Sequence, residues 1–138
     1  MADRICLVKS TIISKMVYSL MIYKWSVSLL KRINVFIKNF VWTGRILERK
    51  LFTIPWSTCC KLIENGGMGI KNLKLFNEAL QSKFNWNMIN QNDDSLKFLR
   101  NKFMEKLKNG NFGYVNSSIW HSIKNYFSNI MANSRWLV

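Results

Sequence analysis

Three of the chain's six glycines, Gly66, Gly67 and Gly69, stand within four residues in the stretch Glu64-Asn65-Gly66-Gly67-Met68-Gly69-Ile70. Glycines this close together can offer successive backbone N–H groups to a phosphate, or let the chain turn where a Cβ would clash. The spacing is G-G-x-G. It lacks the Gly-Lys-Ser/Thr of a nucleoside-triphosphate loop, and it is not the G-x-G-x-x-G of a dinucleotide fingerprint. A turn needing positive φ or close backbone approach is the stronger reading, with Gly67 expected at positive φ. Asp93-Asp94 is the one adjacent acidic pair. It lies among Asn and Gln, without the apolar strand residues that bury and aim metal-binding carboxylates, so a helix cap in a solvent loop is expected. His121 is the single histidine and has no base or nucleophile at a telling spacing. Cys6, Cys59 and Cys60 contain no C-x-x-C, and sequence neighbours do not bridge easily. No catalytic constellation, metal site or cofactor is expected.

The basic residues are the remaining chemical asset. The 138-residue chain carries 21 Lys and Arg against 7 Asp and Glu, a formal charge of +14. Folding does not require that excess; it points to an anionic partner, either nucleic acid or a membrane surface. Arg4, Lys9, Lys15, Lys24, Lys31, Arg32, Lys38, Arg45, Arg49 and Lys50 fall in the first fifty residues, against Asp3 and Glu48 alone. A merely solvated face would mix both signs. This set is the expected nucleic-acid contact surface. The interleaved Tyr18, Tyr23, Trp25, Phe36, Phe40 and Trp42 could stack on bases, but at helical spacing each is more simply a core residue.

The elements that must position these residues are mostly helices. Ile5, Val8, Ile12, Met16 and Leu20 recur every three or four residues, widened by Ile13 and Val17, which predicts an amphipathic helix from Arg4 to about Tyr23. Ser28 is the expected cap of a second helix through Leu29, Ile33, Phe36, Ile37 and Phe40, stopped at Gly44. Residues 51–54, before the only proline, suit a short extended segment. A helical turn from Trp56 to Leu62, capped by Ser57 or Thr58, precedes the glycines. Leu73, Phe76, Leu80, Phe84 and Met88 predict a helix over 73–89. Asp93 or Asp94 should cap another through Leu96, Leu99, Phe103 and Leu107. After a turn at Asn109-Gly110-Asn111-Phe112-Gly113, Ser117-Ser118 should cap the last helix, through Ile119, Ile123, Phe127 and Ile130. The expected division is a basic helical region over 1–63 and a glycine turn with helical connector over 64–138. The most apolar window, Met16 to Tyr23, lies between Lys15 and Lys24 and is too short to span a bilayer. Asp3-Arg4 does not open a signal peptide. Without a disulfide framework the cysteines suit a reducing, intracellular compartment.

Taken in order, "ADRICLVKSTI" at 2–12, "FVWTGRILERKLFTIPWSTCCKLIENGGMGIKNLKLFNEALQSKFNW" at 40–86 and "SSIWHSI" at 117–123 resemble plant LINE-type (non-LTR) retrotransposon reverse transcriptases, in the region after the catalytic palm. Arg4, Leu7, Lys9 and Ser10 match one element of that pattern, Phe40, Trp42 and Gly44 a second, Trp56 and Cys60 a third. Gly66, Gly67, Gly69, Ile70, Leu73, Asn77, Ala79 and Leu80 match the fourth. The chain departs from it at Asp3, where the family has Gly, at Lys15-Met16, where a proline is missing, and at Leu62, which replaces a proline. The resemblance implies a thumb-like, mostly α fragment without the palm and its Asp pair, truncated from an RNA-directed DNA polymerase. It further implies non-specific binding of RNA or an RNA–DNA template–primer, no activity alone, and a nuclear setting. Trp42, Gly44, Trp56, Cys60, Gly66, Gly67, Gly69 and Asn77 would then be structural. Two alternatives stand beside it: a basic amphipathic protein of the membrane surface, and a decayed retroelement remnant without function.

Overall fold

The computed structural model describes residues 1–110 and 117–134. The expected turn residues Asn111, Phe112 and Gly113 lie outside them. The fold is mostly α, with no strand among the described residues. The chain forms two compact units, Met1–Tyr18 with Trp25–Asn77, and Ser19–Lys24 with Glu78–Val138. The 63/64 boundary expected from the sequence falls inside the first unit.

In the first unit the chain opens with α1 (Ala2–Leu7), a π-helical turn (Val8–Ile13) and the start of α2 (Ser14–Ile22). Val8 and Ile13 are buried at a spacing of five, which an α-helix would place on different faces and a π turn brings together. The Ser14 hydroxyl donates to the Lys9 carbonyl at 3.0 Å, also five residues back. The whole run Ala2–Ile22 is 21 residues and, by length and composition, apolar enough to cross a membrane. The run takes in most of the Met16–Tyr23 window. Helical continuity joins apolar stretches that Lys9 and Lys15 separate in the sequence.

Helix α3 (Val27–Thr43) starts at Ser26, whose hydroxyl accepts from the Leu29 N–H at 3.3 Å, rather than at Ser28. It ends at Gly44, at φ 80, as a glycine stop should. Its buried side chains are Leu30, Ile37, Asn39 and Val41, while Leu29 and Phe36 are exposed. Residues 51–54 pair with no strand, and Thr53 and Ile54 make bends. Helix α4 (Trp56–Cys59) has Pro55 at its N-cap and no side-chain cap, so neither Ser57 nor Thr58 serves.

Helix α5 (Leu73–Asn90) is capped by Asn72, whose Oδ1 accepts from the N–H groups of Lys74 and Leu75 at 3.1 and 3.4 Å. Its residues to Asn77 belong to the first unit and those from Glu78 to the second. In the first unit Leu73 and Asn77 are buried. In the second, Gln81, Phe84, Asn85 and Met88 are buried, a face half polar where the sequence promised an apolar one. Helix α6 (Asp94–Lys108) begins after Asp93, whose side chain makes no cap bond. Helix α7 (Trp120–Asn133) follows Ile119, with no side-chain cap from Ser117 or Ser118. Met88, Phe103, Leu107, Trp120, Ile123 and Phe127 form the second unit's core. Phe103 and Trp120 stack at 5.4 Å between ring centroids.

Candidate nucleic-acid interface

The glycine stretch is a closed knot of backbone. After a 3-10 turn at Ile63–Asn65, the N–H of Gly66 donates to Ile63, that of Gly67 to Leu62, that of Met68 to Cys59 and that of Gly69 to Lys61, at 2.9–3.0 Å. N–H groups spent on carbonyls cannot also line a phosphate cradle. Positive φ occurs at Gly66 (76) and Gly69 (64), not at Gly67. Gly67 is demanded by close approach instead, since a Cβ there would lie 2.1 Å from the Lys61 carbonyl oxygen. The expectation of positive φ at Gly67 is thereby corrected.

The first unit also holds most of the basic set, with Asp3, Glu48 and Glu64 as its carboxylates. Arg4 faces inward: its Nη1 donates to the carbonyls of Val41 and Trp42, each at 3.4 Å, at the end of α3. Its guanidinium fills the space beside Gly44, where a Cβ would meet it at 3.0 Å. A cation at a helix C-terminus meets carbonyls without partners and the negative end of the dipole. Lys9 extends Nζ to within 3.1 Å of the place a Cβ on Gly69 would take. Arg45 pairs with Glu48 at 2.6 Å, and both side chains are more than half exposed, so the pair adds little stability but cancels one charge locally. Lys15, Lys31, Arg32, Arg49 and Lys50 are exposed, and Lys38 is half-buried. Lys24 is exposed in the second unit.

One aromatic corner escaped the sequence reading. The rings of Trp42 and Phe52 meet at 5.7 Å, tilted by 30°, and the Lys38 ammonium stands 4.7 Å from the Phe52 ring centroid. Trp42 is fixed by α3; Phe52 arrives on the aperiodic segment after Gly44. A cavity of about 200 Å³ opens beside them, lined also by Lys50, Leu51, Thr53 and Ile54. A neighbouring one of about 370 Å³ shares Lys50, Leu51 and Phe52 with it and adds Lys38 and Arg49. Trp42 and the cations were visible in the sequence; the partner ring, Phe52, two residues past Arg49-Lys50, was not singled out.

The remaining candidates are placed as follows. Trp56 opens α4, half-buried, with an Nε1 that is buried and has no hydrogen-bond partner. Cys60 follows α4, and burial first, then the neighbouring Cys59, raises its thiol pKa above the ordinary 9.0. The buried Asn77 Oδ1 accepts from the Trp25 N–H at 3.3 Å. Asp94 pairs with Lys97 at 3.6 Å and is exposed with Asp93. His121 is exposed, its Nε2 3.1 Å from Asn125. Among the described residues no three His, Cys, Asp or Glu groups gather as metal ligands.

Two plant proteins are similar to this chain. One, from Arabidopsis thaliana and named "Putative ribonuclease H protein", is 29% identical over 90 residues, which are 65% of this chain and 14% of that protein. The other, an "Uncharacterized mitochondrial protein" of the same plant, is 29% identical over 111 residues, 78% of this chain and 72% of its own length. This chain thus spans about a seventh of the first relative and most of the second. Both similarities fit a retroelement-related chain, and neither names a reverse transcriptase. No family model matches the chain, and no solved structure matches it.

Proposed function

We propose that this chain is the thumb-like, non-catalytic part of a retroelement reverse transcriptase, and that it holds a template–primer by its phosphates. The observation that carries the reading is the charge of the first unit, in which Lys15, Lys31, Arg32, Arg49 and Lys50 are all exposed and the carboxylates are Asp3, Glu48 and Glu64. Arg4 and Arg45 are occupied within the protein and take less part. Contacts from lysine and arginine to phosphate supply affinity and orientation but little sequence information. With about four to six phosphates engaged, log K falls against log salt with a slope of roughly −3 to −5. Titration of a labelled RNA–DNA duplex at several salt concentrations measures that slope. A flat response, or no binding at low salt, refutes the proposal. The purified chain should add no deoxynucleotides to a primer.

The Ala2–Ile22 run supports a second reading, in which the chain associates with membranes through its first helix. Sedimentation with anionic vesicles, together with no binding to nucleic acid, would favour it over the first.

A further inference from the structure

We infer that the Trp42–Phe52 corner of the first unit is a binding site for one unstacked base of a single-stranded nucleic acid. The inference rests on the phosphate-binding reading above and goes beyond it. Two adjoining cavities share Lys50, Leu51 and Phe52, so aromatic and cationic side chains line one continuous recess. The first, about 200 Å³, is lined by Trp42, Lys50, Leu51, Phe52, Thr53 and Ile54. It is smaller than the ~300 Å³ at which pockets for drug-sized ligands begin, and so suits a single flat ring system. The second, about 370 Å³, carries Lys38, Arg49 and Lys50 and meets the first along Lys50–Phe52.

A nucleotide offers a partner to both kinds of side chain, a flat base for the rings and, a few bonds away, an anionic phosphate for the cations. Single-strand binding surfaces combine aromatic platforms with a cationic track for that reason. Lys38, already 4.7 Å from the Phe52 centroid, keeps its cation where ring and phosphate groove meet. Leu47 and Leu51 nearby are exposed, and Phe52 and Trp42 only half-buried. Complementary charge decides the occupant: two aromatic rings ringed by Lys38, Arg49 and Lys50 fit a nucleotide better than an apolar protein segment.

The test compares a short single-stranded oligothymidylate with a phosphodiester of equal length lacking bases, on the whole chain. Wild type should bind the base-bearing strand at least about fivefold more tightly. Phe52→Leu should remove most of that preference and leave affinity for the abasic strand unchanged. In parallel, an oligonucleotide bearing 5-iodouracil, irradiated on wild-type protein, should form adducts at Trp42 or Phe52. This arm depends on no variant folding. Equal affinity for the two strands, or adducts confined to other residues, overturns the base site while leaving phosphate binding intact. Loss of binding to both strands at low salt overturns the two proposals together. A concentration-dependent dimer abolished by Phe52→Leu, with equal affinity for both strands, would assign the corner to self-association instead.

Discussion

Gly66 and Gly67 are neighbours of the same residue type, held for different reasons, and replacing each with alanine separates those reasons. At Gly66 the backbone sits at φ 76 with nothing within 4 Å of the added Cβ. Gly66→Ala therefore costs only the left-handed penalty, about 1 kcal/mol. At Gly67 the φ is ordinary, but the Cβ would lie 2.1 Å from the Lys61 oxygen and 2.4 Å from its carbonyl carbon. Real Cβ contacts essentially never fall under 3.0 Å, so the two backbone strands of the turn must part by about 0.9 Å. That displacement stretches the bonds Gly67 to Leu62, Met68 to Cys59 and Gly69 to Lys61, each 2.9 Å at present. At about 1 kcal/mol per bond, Gly67→Ala loses roughly 2–4 kcal/mol. With a urea slope of about 2 kcal/mol/M, the midpoint falls by roughly 1–2 M for Gly67→Ala and about 0.5 M for Gly66→Ala. Urea melts followed by circular dichroism measure both. Equal losses, or a larger loss at Gly66, would refute the close-approach argument.

Gln81 is fully buried and neither amide atom has a hydrogen-bond partner, so Gln81→Met, of similar shape, should raise stability by about 1–3 kcal/mol; a lower urea midpoint would contradict this. Arg4→Met removes the guanidinium from the end of α3 and should cost about 1–2 kcal/mol, with Arg4→Lys recovering only part because an ammonium does not fill the space that the planar guanidinium takes beside Gly44. Full recovery in the lysine variant would show that charge alone matters there. The Cys60 thiol binds its proton more tightly when folded than unfolded. Its contribution to stability is complete below pH 9.0 and is lost as pH rises through the raised value. Cys60→Ser should flatten that alkaline decline, and an unchanged pH profile would exclude this source.

Much of the helical layout was legible because apolar spacing and punctuation agree along this chain. Gly44 ends α3 where a glycine after the last periodic residue should. The face that α6 buries, Phe103 and Leu107 with Leu96 and Leu99 beside them, follows its three-and-four spacing. The misses have physical causes. Asn77, Gln81 and Asn85 recur every four residues and are buried, but amides look like surface to any pattern of polarity. Leu29 and Leu30 are adjacent and equally apolar, so only tertiary contact decides that Leu30 turns inward. Ser26 rather than Ser28 caps α3 because the chain stays extended through Ser26, at ψ 144. In the candidate interface, charge composition identified the cations but not which were occupied. Arg4 meets α3 across 37 positions of sequence, a contact no local pattern encodes. The Trp42–Phe52 corner was hidden likewise, since residues 45–55 have no periodicity to fix a side chain's direction.

The π turn at Val8–Ile13 gives the first helix an unusual tolerance of length. Its two buried ends, Val8 and Ile13, enclose the exposed Ser10 and Thr11. Deleting either exposed residue would bring the buried pair to a spacing of four, which an ordinary α-helix also places on one face. The ladder could close into regular α-helix while both anchors stayed in place. A relative shorter by one residue here need not have lost the fold, and an alignment gap inside this helix marks a change of winding rather than a broken element.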